Sequence, residues 1–200
     1  MNLTKVFSAY APVTFVLFLL NTLVFVFEQY ILKTYDHAAL ESIVIQYGIN
    51  VQNISNIFVW FSSAFMHAGF IHYIFNMLAL IYFGKQIELT YNTQKTGLGS
   101  LYILVTYLFG ILLSAAGTIA YIYLTHDYSV VVIGASGAIF AIFAFYEIIM
   151  RKNFSGFLIF FLVYHFLMIY VLGINVAWYA HLGGSLAVVV AYFIFFQKQN

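Results

Sequence analysis

Cysteine is absent from this sequence, proline occurs once, and only 6% of the residues carry charge. Without cysteine there is no disulfide framework, no thiolate metal ligand and no thiol nucleophile, and cysteine usage leaves no trace of the redox compartment. The formal net charge is +1 and there is no basic tract. That balance gives no electrostatic support for nucleic acid as a partner. Soluble domains carry about 25% charged and 45–50% apolar residues, whereas 64% of these 200 residues are hydrophobic. The composition is that of an integral membrane protein, with the lipid bilayer and lipid-embedded molecules as its surroundings.

A hydrocarbon core of about 30 Å needs about 20 helical residues rising 1.5 Å each. Six apolar runs meet that requirement, at approximately 11–32, 70–88, 97–124, 132–150, 154–172 and 176–196. The expected fold is therefore an all-α bundle of six transmembrane helices forming a single domain over residues 1–200. The first run follows only Lys5 and ends at Glu28 and Gln29, too long and too polar at its close for a cleaved signal, so it reads as the first span. Residues 33–67 are too long for a turn and too apolar for a solvated linker. With Ile43, Val44, Ile45, Ile57, Phe58, Trp60 and Phe61, they read as a long, membrane-associated first loop folded against the bundle.

Seven basic residues set the orientation. With six spans and the amino terminus inside, Lys5, Lys85, Lys95, Arg151, Lys152 and Lys198 fall on the cytoplasmic side and only Lys33 outside. Both termini are then cytoplasmic, and spans two, four and six run from outside to inside. Ser136 stands about four residues into its span and His181 about five into its own. At 1.5 Å per residue, both lie roughly 6 to 10 Å below the outer boundary. His72 and Asn76 enter at similar depth, so three helices bring hydrogen-bonding side chains to one level.

A serine and a histidine at one level of two membrane helices can act as nucleophile (Ser136) and general base (His181). The helix backbones must then approach closely, and small residues permit it. Gly134/Ala138, Gly137/Ala141 and Ala180/Gly184 have the small-xxx-small spacing of tight helix contacts in lipid. His72 and Asn76, spaced i to i+4, share a helix face and can aim two donors at one point. With the Ser136 backbone amide they fit an oxyanion site, where each preorganised donor lowers an acyl-transfer barrier by about 2.7–4 kcal/mol. The plainer readings stand beside this one. A lone serine at a helix interface commonly bonds back to its own helix, and a lone histidine can be a structural donor. His67, where the chain enters the membrane, reads as an interfacial histidine tying the first loop to the bundle.

Other chemistries fit less well. Gly134-Ala135-Ser136-Gly137-Ala138 lacks the last glycine of the G-x-S-x-G elbow and lies in an apolar run rather than a strand-turn-helix. Zinc held by His67, His72 and His181 is the remote alternative. His-x4-His sets its two side chains about 140° apart on a helix, with no HExxH sequence beside it. No metal and no cofactor are therefore called for. Glu147 and Arg151 read as an interfacial ion pair, Glu28 as the close of span one, and His165 as a structural residue in mid-span without an evident partner. Phe157, Phe160, Phe161, Tyr164 and Phe166 read as lipid-facing or packing aromatics.

The combination of His67, His72 and Asn76 in His-x4-His-x3-Asn, then Gly134-Ala135-Ser136-Gly137, then Ala180-His181 followed by Gly183-Gly184, resembles the rhomboid family of intramembrane serine proteases. The likeness runs from about Val59 to Ala191. It implies a Ser136/His181 dyad without a third acid, an oxyanion site of His72, Asn76 and the Ser136 amide, and structural support from His67, Gly134, Gly137 and Phe140. Substrates would be transmembrane segments of single-span membrane proteins, cut near the outer face. The first loop would lie sideways in the outer leaflet, and span five with residues 173–175 would move to admit substrate. The absence of an appended soluble domain resembles relatives of bacterial cytoplasmic membranes. Relatives often carry a tyrosine one turn after the serine, where this chain has Phe140, and a second glycine where it has Val188. Inactive relatives usually lack the serine or the histidine, and both are present here. A non-catalytic rhomboid-like protein that binds transmembrane helices is the alternative.

Overall fold

The computed structural model describes residues 11–93 and 96–191. Lys5, Lys95 and Lys198 of the orientation argument, and the end of the sixth expected span at 192–196, lie outside the described residues. Eight helices carry the fold: α1 (Pro12–Thr34), α2 (His37–Tyr47), α3 (Ile57–Ser62), α4 (Phe70–Thr93), α5 (Gly99–Thr125), α6 (Ser136–Met150), α7 (Phe154–Val171) and α8 (Trp178–Ala191). A 3₁₀ turn, Ser63–Phe65, follows α3. Helices α4, α6 and α7 each contain a π-helical stretch, at Leu80–Gly84, Phe145–Met150 and Leu167–Val171.

The span count differs from the expectation. Helices α1, α5 and α7 are each long and apolar enough to cross a membrane, and a fourth crossing is counted if the pair Ile57–Phe65 and Phe70–Thr93, bent by 93°, is one broken span. Helices α6 and α8 are shorter apolar helices. The late start of α6 has a local cause: Gly134 has φ +131°, a conformation outside the right-handed helix. Residues 132–134 are consequently a non-helical lead-in, in which Val132 exchanges two 2.9 Å backbone hydrogen bonds with Ile49. Ser136 is the first residue of its helix, not the fifth. Before α8, residues 173–177 are non-helical.

The stretch expected as one long loop is largely helical. Asp36 caps α2 by accepting from the Ala39 amide at 2.8 Å, and Asn56 caps α3 by accepting from Phe58 at 3.1 Å. Glu28, expected to close the first span, is instead buried six residues inside α1. Its carboxylate accepts the His67 amide at 3.0 and 3.2 Å. A second carboxylate, Glu88, is fully buried. It caps the start of α1 by accepting from the amides of Val13 (2.9 Å) and Thr14 (2.8 Å), and it also takes the hydroxyls of Thr14 (2.7 Å) and Ser100 (2.7 Å). One residue thus ties α1, α4 and α5 and satisfies donors that lipid would leave unpaired.

Helix α6 is the centre of the molecule. Every residue from Gly137 to Ala144 is buried, as befits a helix apolar on all sides. Helix α5 lies against it through Ile103, Tyr107 and Ile111. Helix α7 is peripheral and buries only the stripe Phe157, Phe161 and His165, spaced one turn apart. Phe160 and Phe166 face outward, so the aromatics of this helix divide between packing and surface. Because lipid is as apolar as leucine, contact between such helices rests on close packing and hydrogen bonds rather than on burial of apolar surface.

Candidate active site

The close packing is built from glycine. A methyl placed on Gly184 would fall on the carbonyl oxygen of Gly137, so α6 and α8 touch backbone to backbone. A methyl on Gly183 would strike the Leu113 carbonyl oxygen, and one on Gly137 the side chain of Ser114. Helix α5 therefore enters the same junction, a participation that the α6–α8 spacing alone did not reveal. Val188, where a glycine would allow closer approach, is buried among Phe140, Phe161 and their neighbours.

The junction sets one hydroxyl against one imidazole. His181, in the first turn and a half of α8 and 4% exposed, lies with Nε2 2.8 Å from Ser136 Oγ. The Phe140 ring stacks on the His181 ring at 4.3 Å between centroids and 16° between planes, fixing the plane in which the imidazole can turn. On its other side, His181 Nδ1 is 2.8 Å from His165 Nε2, and His165 Nδ1 is 2.7 Å from the Phe161 carbonyl oxygen. His165 is thus not the unpartnered residue that the sequence led us to expect. The rule that ionisable residues within spans are functional by default would have flagged it, but nothing local revealed which face of α7 meets α8.

Across Gly134 from Ser136 stands His72 of α4. His72 Nδ1 accepts the Ala68 amide at 3.3 Å, which in a neutral ring assigns the proton to Nε2. Gly134 lies between that ring and the serine. A methyl there would come 2.7 Å from His72 Cε1, 3.1 Å from His72 Nε2 and 3.5 Å from Ser136 Oγ. The Gly134 amide donates to the Ser63 carbonyl at 2.8 Å, which locks this lead-in to the turn before α4. Asn76, one turn beyond His72, is buried, and its Nδ2 has no hydrogen-bond partner among the described residues. The Ser136 amide opens a helix and has no intrahelical acceptor. His67 ties the end of the first loop to α1 through its amide bond to Glu28. It is 3% exposed, meets Phe25, His72 and Tyr73 edge-on, and neither ring nitrogen has a partner among the described residues. Glu147 and Arg151 form the expected ion pair at 3.0 Å. Among the described residues, no group of three or more His, Asp or Glu is placed to hold a metal ion.

A hydroxyl hydrogen-bonded to a buried imidazole is an arrangement that can supply a nucleophile and its base, and His72 of a second helix stands close by. The apolar helices around it are those of an integral membrane protein. Residues 54–198 match the Rhomboid domain family model, and the chain belongs to the rhomboid family. Members of this family are mostly intramembrane serine proteases that act on membrane-protein substrates within the bilayer. A search of curated proteins gives no significant match.

Proposed function

We propose that the protein is an intramembrane serine endopeptidase that cleaves transmembrane segments of single-span membrane proteins near the outer face. The observation that carries this reading is the 2.8 Å contact between Ser136 Oγ and His181 Nε2. That contact lies within the reach general-base catalysis needs. As Ser136 Oγ attacks the scissile carbonyl carbon, its proton passes to His181 Nε2. The carbonyl oxygen becomes an oxyanion that accepts from His72 Nε2, Asn76 Nδ2 and the Ser136 amide. Collapse of the tetrahedral species expels the amine, which takes the proton back from His181. Water then repeats the sequence on the acyl-enzyme and frees Ser136.

In the same reading, the six apolar runs of one domain over residues 1–200 all cross the membrane, with α6 and α8 extended to the boundary by their non-helical lead-ins. Both termini are cytoplasmic, Lys85, Arg151 and Lys152 lie inside, and the site faces the outer leaflet of a bacterial cytoplasmic membrane. Helices α2 and α3 lie along that leaflet. His67, Gly134, Gly137 and Phe140 support the site without entering the chemistry.

Reconstituted protein mixed with a labelled transmembrane substrate should cut it and react with a fluorophosphonate probe, and Ser136→Ala should lose both activities. Cleavage persisting in Ser136→Ala would overturn the assignment. Binding of the substrate helix with no cleavage and no labelling would mark a non-catalytic helix-binding protein instead.

A further inference from the structure

The hydrogen bonds behind His181 run in one direction, and their direction is set at the far end. A peptide carbonyl oxygen can only accept, so at 2.7 Å from Phe161 O the His165 Nδ1 must carry a proton. In the neutral ring, His165 Nε2 is then bare and can only accept. The 2.8 Å contact from His181 Nδ1 therefore places a proton on that nitrogen. His181 Nε2 is left with a free lone pair, directed at the Ser136 hydroxyl 2.8 Å away. The chain reads Ser136 O–H to His181 to His165 to the Phe161 carbonyl, and reversing any one link leaves two protons or two lone pairs facing each other.

We propose that His165 is a positioning residue of the catalytic site, which holds His181 in the Nδ1-protonated tautomer that alone can accept the Ser136 proton. The proposal rests on the protease reading above and extends it from a pair of residues to three. When His181 takes the serine proton, both its nitrogens are protonated, and its Nδ1–H continues to donate to His165 Nε2. The Oγ–C bond to substrate forms as the Oγ–H proton moves to Nε2; between the two imidazoles no proton is transferred, and the positive charge is stabilised by a hydrogen bond already in place. His165 is buried at 7% exposure, enclosed by Phe140, Phe161 and Tyr164. Three rings thus pack against it. Its role matches what a carboxylate does in soluble triads, where installing the wrong tautomer of the base costs about 10⁴ in kcat. A neutral imidazole contributes orientation without a full charge, so its removal should cost less, about 10- to 100-fold.

Three variants separate orientation from packing. His165→Phe keeps the aromatic packing but has no acceptor, His165→Gln offers a side-chain oxygen to the His181 Nδ1 proton, and His165→Ala removes both. With a labelled transmembrane substrate in liposomes, kcat should fall about 10- to 100-fold in His165→Phe and His165→Ala with KM little changed, and His165→Gln should recover much of it. Nitrogen-15 spectra of histidine-labelled protein near neutral pH should show His181 protonated at Nδ1 and bare at Nε2, and a mixture of tautomers in His165→Phe. Wild-type kcat in a folded His165→Phe protein, or a wild-type His181 that carries its proton on Nε2, would overturn the proposal. The spectra need no turnover. An inactive wild-type protein would therefore defeat the protease reading alone, while the tautomer of His181 still decides the role of His165.

Discussion

Gly184→Ala tests whether backbone contact between α6 and α8 is what holds the serine against its base. The added methyl would lie 2.7 Å from the Gly137 carbonyl carbon and closer still to its oxygen, where ordinary contact begins at 3.4 Å. Both opposing atoms belong to the backbone, so no side chain can rotate away; clearing the carbonyl carbon alone needs the helices to part by about 0.7 Å, and clearing the oxygen needs more. If the separation carries through to the site, the Ser136–His181 hydrogen bond, now 2.8 Å, would stretch beyond about 3.5 Å, past the useful range of an O–H···N bond. Displacement on that scale costs about 10²-fold in rate, and overpacking costs about 1–3 kcal/mol of stability. The assay is kcat for cleavage of a fluorogenic transmembrane peptide in liposomes, alongside the rate of fluorophosphonate labelling. Leu186→Ala, which trims a half-exposed side chain of the same helix, should leave both rates near wild type. A folded Gly184→Ala protein that cleaves at the wild-type kcat would refute the reasoning, because the dyad would then tolerate a separation that its geometry forbids.

Asn76→Ala should lower kcat about 10²- to 10³-fold with a small effect on KM, since the lost donor acts on charge that develops in the transition state; an equal rise in KM would point to ground-state binding instead. Glu88→Ala strips four hydrogen bonds from a buried cap. It should destabilise the fold by about 3–5 kcal/mol, read from reversible unfolding in mixed detergent micelles, and a loss below about 1 kcal/mol would mean that water replaces the carboxylate. Acidification should abolish cleavage. Protonated His181 has no lone pair at Nε2, so kcat/KM falls as the pH drops through its titration and returns when the pH is restored; a profile flat to strongly acidic pH would remove His181 as the base.

The sequence made some of this architecture legible and hid the rest for physical reasons. Long apolar runs announce α1, α5 and α7, because length and hydropathy are local properties. The beginning of α6 was misplaced because hydropathy is blind to φ. Val132 to Ala135 are as apolar as the helix that follows, and only the backbone of Gly134 separates them. The place of α5 in the junction was equally hidden. Gly110, Ser114 and Gly117 recur within one long apolar helix, and nothing in that run says that they meet Ala138, Gly137 and Tyr179. Glu28 and Glu88 looked like boundary markers because each stands at the end of an apolar run. Their partners are backbone amides 39 and 74–75 residues away, a distance that no local pattern spans.

The meeting of Ser136 and His181 was legible in the sequence, and the reason lies in the cost of polar groups in lipid. Each buried polar atom here must be satisfied within the protein or pay a penalty of several kcal/mol, so those that persist at one depth are few and stand out. Most are satisfied. Glu28 and Glu88 accept backbone amides, Asn21 Nδ2 donates to Leu17 and Tyr107, and His165 and His181 are joined to each other. Among the described residues Asn76 Nδ2 is an exception, as are Asn21 Oδ1 and the ring nitrogens of His67: it is buried without a hydrogen-bond partner one turn from His72. A donor kept unsatisfied in so apolar a setting has its return in the proposed reaction. The oxyanion formed at Ser136 would be its acceptor, so the bond missing in the resting protein is made only as the barrier is crossed, where it accelerates the chemical step instead of tightening substrate binding.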